Sequence, residues 1–239
     1  MNNSTVSRLG SEALGTLFFV FLGASVALTA GDSLAAAFGW ALALAVAVWI
    51  FGAGGAHFNP FVTVGLALRG RFPWAGAPGH VVAQLLGGFL GALLTWWLFS
   101  TGAGDAAAAA AVTRTPAEGS ELVGALAAEA LGTLVLLLVV FAMIGRGGWQ
   151  YGLGYGLTYG LGVLALASLT GPSLNFARTF GAELSATIAD SNLADWANIW
   201  VYLVGPAIGV VLALLVAPFL AGAAETEAEP PRRRAKAAA

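Results

Sequence analysis

The sequence predicts an all-α membrane protein: six helices that cross the bilayer, plus two half-length helices that dip in from opposite faces, arranged as an inverted repeat. Three observations predict this. The composition is too apolar for a water-facing surface, six apolar stretches have crossing length while two are half as long, and the two halves of the chain resemble each other.

Of 239 residues, 59% are hydrophobic and only 9% are charged, and the mean hydropathy is +0.84. A soluble domain usually carries roughly 25% charged residues, so the outer surface is expected to face the lipid bilayer. The absence of cysteine excludes disulfides and thiolate metal sites. Two histidines, His57 and His80, are too few for a three-histidine metal centre. A net charge of −2 argues against a nucleic-acid partner. The first apolar run lacks a separate short core with a cleavage site, so it reads as a retained span.

A bilayer core of about 30 Å needs about 20 apolar residues per helix. The stretches at roughly 11–30, 34–53, 79–99, 121–144, 151–169 and 196–221 qualify. Shorter apolar segments near 58–69 and 174–186 each begin with Asn after a glycine-containing turn, and are expected to be re-entrant helices. A linker at 100–120 joins a first half (about 11–99) to a second (about 121–221). The predicted channel domain is 1–224, followed by a disordered charged cytoplasmic tail at 225–239. Arg8, Arg69, Arg71, Arg146, Arg232, Arg233, Arg234 and Lys236 fall on one side of a six-span arrangement, which predicts that both termini are cytoplasmic. The acids assigned to the outer loops are Asp32, Asp105, Glu118, Glu121, Glu183, Asp190 and Asp195.

The repeat is visible at three places. Glu12 to Leu17 recurs as Glu129 to Leu134, 117 residues on; Asn59 recurs as Asn175, 116 residues on; Gly87 and Gly91 pair with Gly205 and Gly209, 118 residues on. Three spans per half is an odd number, so the second half enters the membrane from the opposite side. The half-helices then approach each other with their N-termini near the midplane.

Each helix N-terminus exposes unpaired N–H groups and about half a positive charge. Two such ends face to face form a barrier to cations. Irregular backbone at this depth is tolerated where it lines a cavity or is buried in protein, so the turns Gly54–Phe58 and Thr170–Leu174 are expected to offer carbonyl oxygens along a passage. Asn59 and Asn175 can cap their helices and offer N–H donors to a solute. Arg178, one turn into the second half-helix, marks a water-filled path. Glu12 and Glu129 sit at matching intramembrane positions and are expected to hold loop N–H groups, with a proton relay as the other reading. His57 is expected to be a packed or hydrogen-bonding loop residue.

These residues carry a family resemblance. Gly55-Ala56-His57-Phe58-Asn59-Pro60-Phe61-Val62-Thr63 resembles the first Asn-Pro-Ala signature of the major intrinsic proteins, the aquaporins and glycerol facilitators, and Gly171 to Gly181 resembles the second. Ser11 to Gly23, Glu129 to Leu134 and Trp200 to Pro206 are also similar to family sequence, so the resemblance covers about 11–221. It implies an aquaporin-like fold, a passive channel for water and small uncharged solutes such as glycerol, a homotetramer in the cell (plasma or inner) membrane with one pore per subunit, and no cofactor, metal or enzymatic activity. The implied selectivity filter is Val163, Pro172, Arg178 and either Gly39 or Trp40, with Trp40 preferred because it restores the alignment of Phe51-Gly52-Ala53. Val163, where water-selective members carry His, and Leu203, where they often carry Trp, lean toward glycerol-sized solutes; Thr179, where glycerol facilitators carry Asp, leans the other way. The signatures depart from the family at Phe61, which replaces a small residue, and at Phe176, which replaces proline. Their rings are expected to repack around Pro60, with Ala177 completing the motif. Two competing readings are an ion-coupled secondary transporter and a fold-retaining structural protein with a narrowed pore.

Overall fold

A computed structural model describes residues 5–114, 119, 121–144 and 148–220. The expected tail at 225–239, with Arg232, Arg233, Arg234 and Lys236, lies outside the described residues, as do Pro116, Glu118 and Arg146. The helices are α1 (Thr5–Thr29), α2 (Ser33–Phe51), α3 (Pro60–Leu68), α4 (Ala77–Ala103), α5 (Asp105–Ala109), α6 (Glu121–Met143), α7 (Gly148–Leu166), α8 (Phe176–Ala189) and α9 (Val201–Val216), with no strand among the described residues. Helices α1, α2, α4 and α6, and the span Trp196–Phe219 that contains α9, are long and apolar enough to cross a membrane. Helix α7 is the sixth crossing by its place in the fold. Its 19 residues include six glycines and three tyrosines, and it is not among the five candidate spans.

The halves are built alike. Helix α1 packs on α2 and α4, as α6 packs on α7 and α9; α2 and α7 join the halves. The half-helices α3 and α8 lie inside this bundle, with α8 against α4. Close approach depends on small residues, as expected where lipid removes the hydrophobic drive between helices. Gly87 sits on the carbonyl of Ala13 beside Thr16, and a Cβ on Gly209 would stand 2.5 Å from the carbonyl oxygen of Ala130 and 2.8 Å from Thr133 Cβ. Ala130 and Thr133 are the repeat partners of Ala13 and Thr16, so Gly209, not Gly205, is the counterpart of Gly87. The pairing by sequence slips one helical turn. The cause is the second half-helix, with 14 residues in α8 against nine in α3.

The linker that joins the halves has structure of its own, and one further expectation changes. Its alanine run forms α5, which buries Ala107 and Ala108, with Ala111 buried just beyond it, and the carbonyl of Arg114 accepts a bond from the Gly171 N–H at 2.9 Å. The linker therefore braces the second re-entrant turn. Glu183 is not in an outer loop; it lies within α8, fully buried, and its Oε2 accepts from the Asp195 N–H at 2.7 Å.

Candidate functional site

The tips of α3 and α8 form from the same local chemistry. Asn59 caps α3, its Oδ1 accepting from the Phe61 N–H at 2.9 Å, and Pro60 at the first helical position has no N–H to orphan. Asn175 caps α8, its Oδ1 accepting from the Ala177 N–H at 3.0 Å and the Arg178 N–H at 3.4 Å. The residue before each asparagine is left-handed, Phe58 at φ 49° and Leu174 at φ 53°, a conformation that non-glycine residues hold only when their surroundings impose it. The surroundings here are two carboxylates. Glu12 accepts from the His57 N–H at 2.9 Å and the Phe58 N–H at 2.8 Å. Glu129 accepts from the Ser173 N–H at 2.8 Å and the Leu174 N–H at 2.9 Å. Both acids are fully buried. Gly15 and Gly132, three residues further along α1 and α6, clear the space filled by the side chains of Phe58 and Leu174.

The two tips meet. Asn59 Nδ2 donates to the carbonyl of Leu174 at 2.7 Å, and Asn175 Nδ2 donates to the carbonyl of Phe58 at 2.7 Å. Each asparagine thus uses its oxygen for its own helix and one N–H for the opposite turn. A side-chain amide has two N–H donors; the second on Asn59 meets the Tyr155 hydroxyl, and Asn175 keeps a second of its own.

Arg178 lies one turn into α8 with its guanidinium 4.7 Å from the Trp40 ring centroid. It is 6% exposed, and its Nε and Nη1 are buried without a hydrogen-bond partner. Gly39 instead faces Val26, so of the two residues left open in α2 it is Trp40 that meets the arginine. Val163 is half-buried on α7 and Pro172 is buried in the second turn. Thr179 joins a hydroxyl chain, receiving a bond from Thr113 at 3.2 Å and donating to Ser173, whose hydroxyl bonds the carbonyl of Asn175 at 2.8 Å. Leu203 is 47% exposed on the outer surface.

A third group escaped the sequence reading. Tyr151, Tyr155 and Tyr159 donate to the carbonyls of Ala56 (3.1 Å), His57 (2.8 Å) and Ser173 (2.7 Å). The signal was the run Tyr-Gly-Leu-Gly-Tyr-Gly-Leu-Thr-Tyr-Gly at 151–160. Residues four apart share a helix face, and adjacent residues point about 100° apart. The repeat therefore puts a tyrosine stripe beside a glycine stripe. Gly152, Gly156 and Gly160 ride on the backbone of α2 at Ala45, Ala41 and Ala37, which turns the tyrosines toward the two re-entrant turns.

The family profile described as "MIP: Major intrinsic protein" matches residues 2–217. The chain belongs to the major intrinsic protein family. It is 36% identical over 233 residues to the glycerol uptake facilitator protein of Streptococcus pneumoniae, covering 88% of this chain and 98% of that one. It is 31% identical over 245 residues to aquaporin AqpM of Methanothermobacter marburgensis, covering 91% and 98%. Among solved structures it matches the aquaglyceroporin from Plasmodium falciparum with a TM-score of 0.74 at 27% identity, covering 90% of this chain and 96% of that one.

Within this major intrinsic protein the ring of Phe176 lies tilted against Phe180 at 6.0 Å, and Phe180 meets Trp196 edge-on at 5.9 Å. Phe61 is buried in the main core, and Phe176 packs against the same core. Residues four apart share a helix face, so Phe176 finds its partner one turn along its own helix. Ala177 is fully buried, its carbonyl against Gly88. Glu12, His57 and His80, from three separate elements, bring potential metal-ligand atoms within 4.8 Å of one another. Glu12 already receives the two turn N–H groups and Gln84 Nε2 at 2.6 Å, and His57 Nδ1 lies 3.0 Å from Thr63 Oγ1. Glu12 and His57 thus belong to a hydrogen-bond hub beneath the first turn, while His80 bonds the Gly76 carbonyl through Nδ1 at 3.1 Å and its buried Nε2 has no hydrogen-bond partner.

Proposed function

We propose that this protein is a passive channel for water and small uncharged solutes such as glycerol, excluding ions and protons. The reading rests above all on the reciprocal bonds between Asn59 and Asn175 and the opposite turns, which set two helix N-termini against each other deep in the bundle. The second N–H of Asn175 is a donor for a solute oxygen, that of Asn59 becomes one when the Tyr155 hydroxyl yields it, and the paired positive ends repel cations. Trp40, Val163, Pro172 and Arg178 form the selectivity filter. Arg178 supplies donors and charge, Trp40 supplies a flat wall, and Val163 and Pro172 leave the opposite side apolar. The names of the relatives, a glycerol uptake facilitator and an aquaporin, agree with a passage for both solutes.

The channel domain is 1–224, working as a homotetramer with one pore per subunit in the lipid bilayer of the cell membrane. Both termini are cytoplasmic, following the arginine-rich side. Stopped-flow light scattering on proteoliposomes tests the reading. A sucrose gradient drives water efflux faster than from empty liposomes, and a glycerol gradient gives re-swelling independent of sodium or proton gradients. Rates equal to empty liposomes for both solutes in every variant would overturn it. Replacing Arg178 by Val raises proton or cation leakage more than it changes water flow; unchanged leakage would remove its filter role.

A further inference from the structure

We propose that Tyr155 and Tyr159 close the passage, and that permeation requires their hydroxyls to leave the carbonyls of His57 and Ser173. The inference rests on the channel reading above and adds the residues that set its rate and solute size. One carbonyl belongs to each half: His57 lies in the first re-entrant turn and Ser173 in the second. These oxygens belong to the turns whose carbonyls would otherwise be offered to a solute moving past the asparagines.

The burial pattern agrees. Tyr155 and Tyr159 are fully buried, Asn59 is fully buried and Asn175 is 1% exposed. On the Arg8 side a cavity of about 410 Å³ is lined by Val48, Gly52, Ala53, Gly55 and Tyr151. Tyr151 stacks on Tyr155 at 5.7 Å. Tyr159 lies edge-on to Phe19 at 5.0 Å and 6.3 Å from the Trp40 ring that carries Arg178. The three phenols therefore run as one column from the cavity floor to the filter, past the meeting point of the two tips.

The column is held from behind. Gly156 and Gly160 lie against the Ala41 and Ala37 carbonyls of α2, so α7 cannot move closer to α2 to open the path. The motion left is rotation of the phenols about their own side-chain bonds, which exchanges each phenol–carbonyl bond for a solute–carbonyl bond. Such an exchange conserves hydrogen bonds, so the closed column can yield to a file of water or to a polyol hydroxyl.

The test uses the full chain in proteoliposomes with sucrose and glycerol gradients, normalised to the amount of folded protein. Replacing both tyrosines by Val (Y155V/Y159V) removes hydroxyls and rings, and is expected to raise water permeability per channel at least tenfold and glycerol permeability by more. Replacing both by Phe (Y155F/Y159F) keeps the rings and the core volume, and is expected to raise water permeability several-fold and to flatten its temperature dependence. Tyrosines that serve only packing would lower the melting temperature in these variants without raising flux. A fast wild type changed less than twofold by both variants would leave the channel standing and overturn the gate. If wild type and both variants match empty liposomes while folded, the gate and the channel reading fall together. Should the Val pair fail to fold, the near-isosteric Phe pair decides alone: no increase in flux overturns the proposal.

Discussion

The carboxylate of Glu129 holds the second re-entrant turn, and replacing it by Gln measures that hold. The two oxygens accept the Ser173 N–H at 2.8 Å and the Leu174 N–H at 2.9 Å. A glutamine side chain has one acceptor oxygen, and its amide group would point donors at the second N–H. One buried N–H is then unsatisfied, at a cost of about 1–3 kcal/mol. Replacement by Ala orphans both, at about 2–6 kcal/mol on the same basis. For a chain of this size each kcal/mol corresponds to about 2–4 °C in Tm. Glu129→Gln is therefore expected to melt about 2–12 °C lower and Glu129→Ala lower again. Leu174 is left-handed at φ 53°, a strain of about 1–3 kcal/mol that the carboxylate offsets. Once released, the turn relaxes and the Asn59 Nδ2 bond to the Leu174 carbonyl is lost with it. The assay is tryptophan fluorescence of the detergent-solubilised protein on heating, with proteoliposome water flux in parallel. A Glu129→Gln protein that melts within about 1 °C of wild type while its proton flux disappears would refute the clamp and favour the relay.

Three more substitutions probe the filter and the helix contacts. Trp40→Ala removes the ring under Arg178, forfeiting about 0.5–2 kcal/mol of cation–π attraction; the ratio of glycerol to water permeability is expected to rise, and an unchanged ratio would take Trp40 out of the filter. Gly209→Ala places a Cβ 2.5 Å from the Ala130 carbonyl oxygen and should destabilise by about 1–3 kcal/mol, whereas Gly124→Ala, with open space around it, should stabilise by up to about 1 kcal/mol; equal thermal shifts for the two would refute the close α6–α9 contact.

What was legible in the sequence was whatever depends on composition and parity. Crossing lengths follow from bilayer thickness, and the inversion follows from three spans per half, so the half-helices with Asn59 and Asn175 at their starts could be placed before any coordinates. Glu12 and Glu129 were legible because the repeat put both at one position. The one-turn slip at Gly205 and Gly209 was not, because alanine- and glycine-rich helices look alike at offsets one turn apart and only contact with the Ala130 carbonyl separates them. Burial of Glu183 was hidden for a related reason: an acid near a span end reads as solvent-facing until its partner, the Asp195 N–H, is seen.

The tyrosine column was written in the sequence at 151–160 but needed three dimensions to be read. Glycine every fourth residue signals a helix that leans on a neighbour, and tyrosine in a span suggests an interfacial ring. Neither reading alone says that the stripes are linked. The structure links them: with Gly152, Gly156 and Gly160 against α2, the residues one step earlier must face the re-entrant turns, and a phenol is long enough to reach their carbonyls. The same glycines that fix the α2–α7 contact therefore decide what occupies the passage. Widening this channel is then a matter of changing tyrosines while leaving the glycines alone, because a side chain at Gly156 would push α7 off α2 and carry the whole column with it.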